Sequence, residues 1–357
     1  MDDQFYIVVP RALGTLYQDG KTGHWADVRT TSEAILALLT SGEGVQAPHI
    51  QCACDFLLAG FKTEEKGGSW GSELWDTALA IRALQKLAPR GQDTIEKAFD
   101  WIYTKQLPDG SFDGEPWDSL FVCLAALEAG YSDRVLKTID WLISLQTSNG
   151  VVISSHYSGL FCQVLGRSLD FRLPSEAVHR VREAGIRALQ FLWNQYSPAS
   201  LWGEGTWTNA YIVRGMLALK HPQLLPKYDD IISWYARRQA DSGIWDDTVR
   251  TAIVLQSLVP LHLTYELDRC NRKPLQALTS EFVERSTESQ LFQMISSKTH
   301  KVPLVRVRKL IDHDENGNRV ITLTKEREMY IGMIVSLLGA LWALIRNWDF
   351  VKHFLFR

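Results

Sequence analysis

One segment type recurs six times along the chain, and it limits the fold more than any other feature. Each copy opens on a hydroxyl or amide side chain and runs into an apolar stretch. The copies are TSEAILAL from Thr31, TALAIRAL from Thr77, SLFVCLAA from Ser119, SGLFCQVL from Ser158, NAYIVRGM from Asn209 and TAIVLQSL from Thr251. Their starts lie 46, 42, 39, 51 and 42 residues apart, a spacing that belongs to repeated supersecondary units. The segments are apolar nearly all round, as a helix packed on both sides must be. Their opening Thr, Ser or Asn is expected at an N-cap or in a first turn.

A second helix precedes each of the later copies: TIEKAFDWIYTKQ, RVLKTIDWLISLQ, AGIRALQFLWNQ and YDDIISWYARRQ. These have one apolar stripe and many charges, and each ends at or near Gln. A turn rich in Gly and aromatics follows, as in KGGSWGSELW, PDGSFDGEPW and DSGIW. The unit is therefore an outer amphipathic helix, a Gly/aromatic turn and an inner apolar helix. Six units close into an all-α double ring, an α/α toroid over residues 1–265 whose inner helices line a centre; an open solenoid is the alternative. Thirteen tryptophans are unusual for 357 residues, and the turns account for many of them.

Two turns also carry a resemblance. Gln106-Leu107-Pro108-Asp109-Gly110-Ser111-Phe112, Gly68-Ser69-Trp70 and Trp75-Asp76-Thr77-Ala78 resemble the repeat of terpenoid cyclases and protein prenyltransferase β-subunits, over residues 15–265. The resemblance implies the toroid, while folds of this kind host many chemistries. It also implies where catalytic groups would stand. Class II cyclases protonate an alkene or epoxide with a carboxylic acid from Asp-x-Asp-Asp-Thr at the start of an inner helix. The best match is Ile244-Trp245-Asp246-Asp247-Thr248, which makes Asp246 the donor and Asp247 its neighbour, with Ile244 replacing the first acid. In Glu73-Leu74-Trp75-Asp76-Thr77, Trp75 takes the donor's place. In Arg29-Thr30-Thr31-Ser32-Glu33-Ala34, Arg29 replaces the acid of a related motif, and a guanidinium donates no proton at neutral pH. Carboxylates before an inner helix equally cap it and complement its dipole.

The prenyltransferase zinc set, an Asp-x-Cys with a His on a later inner helix, is not met, so no metal is expected. No cofactor fingerprint is found. Lys+Arg 38 against Asp+Glu 41 gives a net charge of −3, which offers no bulk attraction for nucleic acid. Five cysteines at irregular spacing imply no disulfide framework. The toroid gathers six inner-helix N-termini around one mouth, and such ends favour anions. Arg29 and Arg250, with Trp75, Asp76, Trp117, His156, Tyr157, Trp207, Asn209 and Trp245, are the expected ligand-facing residues. The tryptophans have a second reading as wedges between repeats.

Past the repeats the pattern changes. Residues 266–300 read as a polar helical linker. Residues 301–325 read as a β-hairpin, with strands Val302–Ile311 and Arg319–Thr324 around Asp314–Asn318. Met329–Ile345 carries no charge and as a helix would be about 26 Å long, close to a bilayer core. It is expected to be a single-pass C-terminal transmembrane helix, with 346–357 as an interfacial tail. The N-terminus opens acidic without a long apolar core, unlike a secretory signal, so the toroid is expected in the cytoplasm. The expected partners are the lipid bilayer, an isoprenoid, lipid or small signalling ligand, and further copies of the chain. The functional expectation is a membrane-anchored binding or effector toroid with degenerate cyclase motifs. The alternatives are a class II-like cyclase using Asp246 and a non-catalytic partner subunit.

Overall fold

The computed structural model describes residues 4–71, 73–87, 90–171, 173–203, 205–272, 311–313 and 319–321. The inner helices of the repeat are α2 (Val28–Thr40), α4 (Leu74–Lys86), α6 (Pro116–Glu128), α8 (Ser155–Ser168), α10 (Thr206–Ala218) and α12 (Thr248–Arg272). The outer helices are α1 (Phe5–Asp19), α3 (Pro48–Gly60), α5 (Gln92–Tyr103), α7 (Ser132–Ser144), α9 (Ser175–Asn194) and α11 (Tyr228–Arg238). Each inner helix packs on the next, and α12 packs back on α2, so the ring closes. This excludes the open solenoid. The inner helices are buried on nearly every side, as their composition requires.

The recurring hydroxyl or amide has one job in all six units. Thr31, Thr77, Ser119, Ser158, Asn209 and Thr251 each occupy the fourth position of their inner helix. They are not N-caps. Each accepts a hydrogen bond from the backbone N–H of the turn residue six or seven positions earlier. The donors are Trp25 (3.2 Å), Trp70 (3.1 Å), Phe112 (3.0 Å), Val152 (3.0 Å), Trp202 (3.1 Å) and Trp245 (2.9 Å). Every one of these bonds is buried, where leaving a donor unmade would cost about 1–3 kcal/mol. The position therefore demands a short acceptor. The turn side chain then wedges between the two helices. Trp25, Trp70 and Trp245 donate their indole N–H back to the outer helix, to the carbonyls of Leu16, Leu57 and Tyr235.

Three of the joints between adjacent units are made by the Gln and the Gly that follow α5, α7 and α11. Gln106, Gln146 and Gln239 donate both to the carbonyl of the turn glycine and to the next outer helix, at Thr138 Oγ1, Ala184 O and Val8 O respectively. The glycine itself has positive φ and lies against that helix. A Cβ on Gly150 (φ +92°) would stand 2.2 Å from Arg187 O, and one on Gly243 (φ +93°) 2.6 Å from Arg11 O. The last joint runs from α11 to α1. The N-terminal segment, given no helix by the sequence reading, is thus the outer helix of the first unit and the closing piece of the ring. Phe5 stacks on His262 of α12 at 3.8 Å, whose Nδ1 and Nε2 meet Tyr228 Oη (2.6 Å) and Tyr6 Oη (3.2 Å).

A small hairpin, β1 (Lys62–Glu64) with β2 (Gly67–Ser69), elaborates one turn. Separately, β3 (Ile311–His313) and β4 (Arg319–Ile321) pair antiparallel, with Ile311 opposite Ile321. This is the core of the expected hairpin, with its first strand reaching two residues further toward the turn. Among the described residues no helix is long and apolar enough to cross a membrane. Residues 266–272 of the expected linker continue α12; the rest of the linker, the 329–345 span and the 346–357 tail lie outside the described residues.

Candidate functional site

The repeat puts equivalent residues at equivalent heights. Two positions before each turn-holding residue stand Arg29, Trp75, Trp117, His156, Trp207 and Val249, one from each inner helix around the mouth of the ring. Trp117 is the hub. Its ring lies 6.3 Å from Trp75, 5.7 Å from His156, 5.3 Å from Tyr157 and 6.2 Å from Trp207. Phe121 and Tyr211, one turn deeper on their helices, lie 5.1 and 6.0 Å from the same indole. The Arg29 guanidinium sits 4.2 Å above the Trp75 ring, a cation–π contact. So the structure brings together six of the expected ligand-facing residues: Arg29, Trp75, Trp117, His156, Tyr157 and Trp207. All are half-buried, open enough for a ligand to touch. His156 Nδ1 meets Ser154 Oγ at 3.1 Å, and burial holds its imidazole below the usual range, neutral at pH 7.

Two carboxylates border the cluster. Asp76 and Asp118 take the position just before the turn-holding residue in adjacent units, within Trp-Asp-Thr and Trp-Asp-Ser. Asp118 Oδ1 accepts from the Trp75 backbone N–H at 3.0 Å. Asp76 Oδ1 is buried without a hydrogen-bond partner. Burial pushes Asp76 up to about 6, against the pull of Arg29 and with help from Asp27, Glu73 and Asp118. Burial likewise pushes Asp118 up to about 6, opposed by the Trp75 N–H and reinforced by Glu73, Asp113 and Glu115. Desolvation and crowded like charge are the two conditions that keep a carboxyl protonated. The motif matches pass over Asp118. The signal that marks it is its shared register with Asp76 in the neighbouring repeat.

The remaining expected residues stand elsewhere. Asp246 and Asp247 are exposed. Asp246 accepts from Thr206 Oγ1 at 2.6 Å, and Asp247 accepts from the Arg250 backbone N–H (2.7 Å) and pairs with its guanidinium (3.0 Å). These contacts tie α12 to α10 and hold the first turn of α12, and an exposed carboxylate is poorly placed to protonate a hydrocarbon. Arg250 is thereby engaged with Asp247. Trp245 is a fully buried wedge. Asn209 is buried, with its amide donating to the Gly203 carbonyl at 2.9 Å. Both hold a turn and neither faces the mouth. A groove of about 610 Å³ does open beside Asp247, at the seam between the first and last units, lined by Asp19, His24, Trp25 and Thr248 among others. Among the described residues no cluster of His, Cys, Asp and Glu has the makings of a metal site. The one Asp-x-Cys of the chain, Asp268-Arg269-Cys270, lies at the end of α12, and among the described residues no inner helix follows it.

Comparison with solved structures places this architecture. The type II terpene cyclase MstE from Scytonema superposes with a TM-score of 0.57 over 72% of this chain and 96% of its own, at 14% identity. The fold is that of the terpenoid cyclases. A squalene–hopene cyclase from Zymomonas mobilis is 28% identical over 157 residues. That match takes in 37% of this chain and 23% of the enzyme, so under a quarter of the curated relative's length is spanned. A family 76 glycoside hydrolase (mannosidase) from Bacteroides thetaiotaomicron matches with a TM-score of 0.55 at 11% identity, over 76% of this chain and all of its own. A terpenoid cyclase-like ring therefore also serves sugar chemistry in another protein, and the fold alone assigns no reaction. No family model matches the chain.

Proposed function

We propose that the chain binds an apolar, isoprenoid-like ligand at the aromatic mouth and protonates it from the Asp76/Asp118 pair, a cyclase-like reaction in which Asp246 plays no part. The observation that carries this is the Asp76 carboxyl, raised to about 6 with one oxygen buried and unpartnered beside the indoles. A neutral carboxyl there transfers its proton to an alkene or epoxide, and the positive charge passes to the ligand. The faces of Trp75, Trp117 and Trp207 stabilise that cation. Arg29, which draws the Asp76 pKa down, stabilises the carboxylate left behind. Loss of a proton from the ligand afterwards restores the acid. The MstE structures include one in complex with geranylgeranyl dihydroxybenzoate as substrate, and a ligand of that chemical class fits an aromatic mouth.

The test is turnover. The full chain is incubated with linear polyprenyl alcohols, squalene and terminal epoxides, and products are separated by gas chromatography with mass detection. Cyclised isomers are expected from the wild type, with at least a hundredfold loss in Asp76→Asn and none in Asp246→Asn. Turnover that survives Asp76→Asn, or falls equally in Asp246→Asn, overturns the assignment.

A second reading follows from Trp75, which stands where the cyclase motif has its donor. On it the toroid binds such a ligand without converting it, and the same incubation returns bound but unchanged material. In either case a bilayer tether at 329–345 would hold the mouth within reach of lipid-borne ligands. The membrane-perturbing effector role draws no support from the toroid itself.

A further inference from the structure

Below the mouth the inner helices carry long polar side chains at one height. Five positions after the turn-holding residue stand Arg82 in α4, Gln163 in α8, Arg214 in α10 and Gln256 in α12. Burying a guanidinium is unfavourable unless it is paired. Arg82 is paired: it forms a two-point bridge to Glu128, Nε to Oε2 at 3.1 Å and Nη2 to Oε1 at 3.0 Å. Gln256 donates to Glu33 Oε2 at 2.6 Å, and Gln163 to the Tyr211 carbonyl at 3.3 Å.

Arg214 differs. Its guanidinium lies 5.7 Å from the Tyr211 ring centroid. Among the described residues no carboxylate or carbonyl is hydrogen-bonded to it. The nearby carboxylates, Glu33 and Glu128, already accept from Gln256 and Arg82. The side chain is enclosed by protein yet keeps accessible surface, which is the condition of a group facing an internal space. Burial and the neighbouring Arg82 push its pKa down against the pull of Glu33, Tyr211 and Glu128, and the downward push prevails. Trp207, Tyr211 and Arg214 follow one another at i, i+4 and i+7 on α10, which aligns them on one face. The two rings are 5.9 Å apart, and the Arg214 backbone stands about 10 Å further along the helix than that of Trp207.

We propose that Arg214 is an anion-binding subsite inside the ring, taking the carboxylate or phosphate of a ligand whose apolar part lies along the Trp207 and Tyr211 rings. This rests on the reading that the mouth admits an apolar ligand, and it adds the head group and its direction: charge inward, hydrocarbon toward the mouth. A charge-assisted, two-point contact in an enclosed site is the strongest pairing a guanidinium makes with either oxyanion.

The probes are farnesoic acid, farnesyl monophosphate and farnesol, titrated into the full chain and followed by tryptophan fluorescence. The wild type is expected to bind at least one acid tenfold or more tighter than the alcohol, with the advantage shrinking as salt rises. The tighter of the two acids tells carboxylate from phosphate. Arg214→Gln is expected to lose the advantage and Arg214→Lys to keep part of it, both checked for folding by thermal melts. Should the Gln variant not fold, the Lys variant alone decides, by a several-fold loss of acid over alcohol selectivity. Acids that bind no tighter than farnesol, or an advantage that persists in Arg214→Gln or moves only with Arg29→Gln, overturn the proposal. If none of the three binds, the isoprenoid reading fails, and inorganic phosphate decides the anion site separately. A rise in Tm with phosphate that Arg214→Gln abolishes upholds it, and equal behaviour of the two proteins overturns it.

Discussion

Asp76 shows how far a single side chain departs from its sequence signal. Trp-Asp-Thr reads as a helix start, and a carboxylate in a first turn normally gains from the helix dipole. Here burial and three neighbouring acids outweigh both the dipole and Arg29, and the carboxyl rises to about 6. The folded state therefore holds more protons than the unfolded state between roughly pH 4 and 6, and stability falls as pH rises through that window. Asp76→Asn removes the charge without changing shape. Its Tm is expected to exceed that of the wild type at pH 8, with the gap narrowing below pH 6 and closing near pH 4. Melts across that range check it, and a gap that widens toward acid would contradict the assigned direction. This pair was not legible in the sequence. Asp76 and Asp118 share a register in neighbouring units, but their burial comes from helix packing that the motif does not display. Asp246 shows the converse: it fits a family motif best, and its turn sets it against Thr206 and solvent.

At the scale of the element, the sequence was most readable where one rule repeats. The fourth residue of every inner helix must accept from the preceding turn, so only Thr, Ser and Asn appear there, and the period was visible without structure. The turn aromatics divide by the same geometry. Trp25, Trp70 and Trp245 are wedges, while Trp75, Trp117 and Trp207 belong to the first helical turn and line the mouth. Counting residues to the fourth position separates the two sets. The polar lumen was less readable, because single Arg and Gln residues sit inside segments that are otherwise apolar. The turn glycines make a strict prediction. Gly150 has φ +92°, and a Cβ there meets Arg187 O at 2.2 Å. Gly150→Ala combines a left-handed conformation with a backbone clash, so a loss of about 2 kcal/mol or more is expected. Gly42 also has positive φ but meets nothing within 4 Å, so Gly42→Ala should cost only about 1 kcal/mol. Denaturant titration of both variants measures the difference.

For the whole molecule, the missed element was α1. It carries Pro10 within its span and only Arg11 and Asp19 as charges, so it lacks the charged face by which α5, α7, α9 and α11 are read. Its role is set by contacts with the last unit, at Gln239 and His262. Removing residues 1–19 would uncover one side of α12 and leave the carbonyl joint of Gln239 unmade. The expected result is a single cooperative transition at markedly lower Tm, seen by both circular dichroism and tryptophan fluorescence. Two separate transitions would instead mean that the units fold as an open stack.

Because α1 lies against both α11 and α12, the first hairpin is gripped by the last as inner neighbours are: Gln239 meets α1 as Gln146 meets α9. Which hairpin comes first then depends only on where the circle is cut. A chain beginning at α3 and carrying α1 and α2 after α12, through a short linker, should trace the same circle and keep the same mouth, with the cut merely moved to another turn.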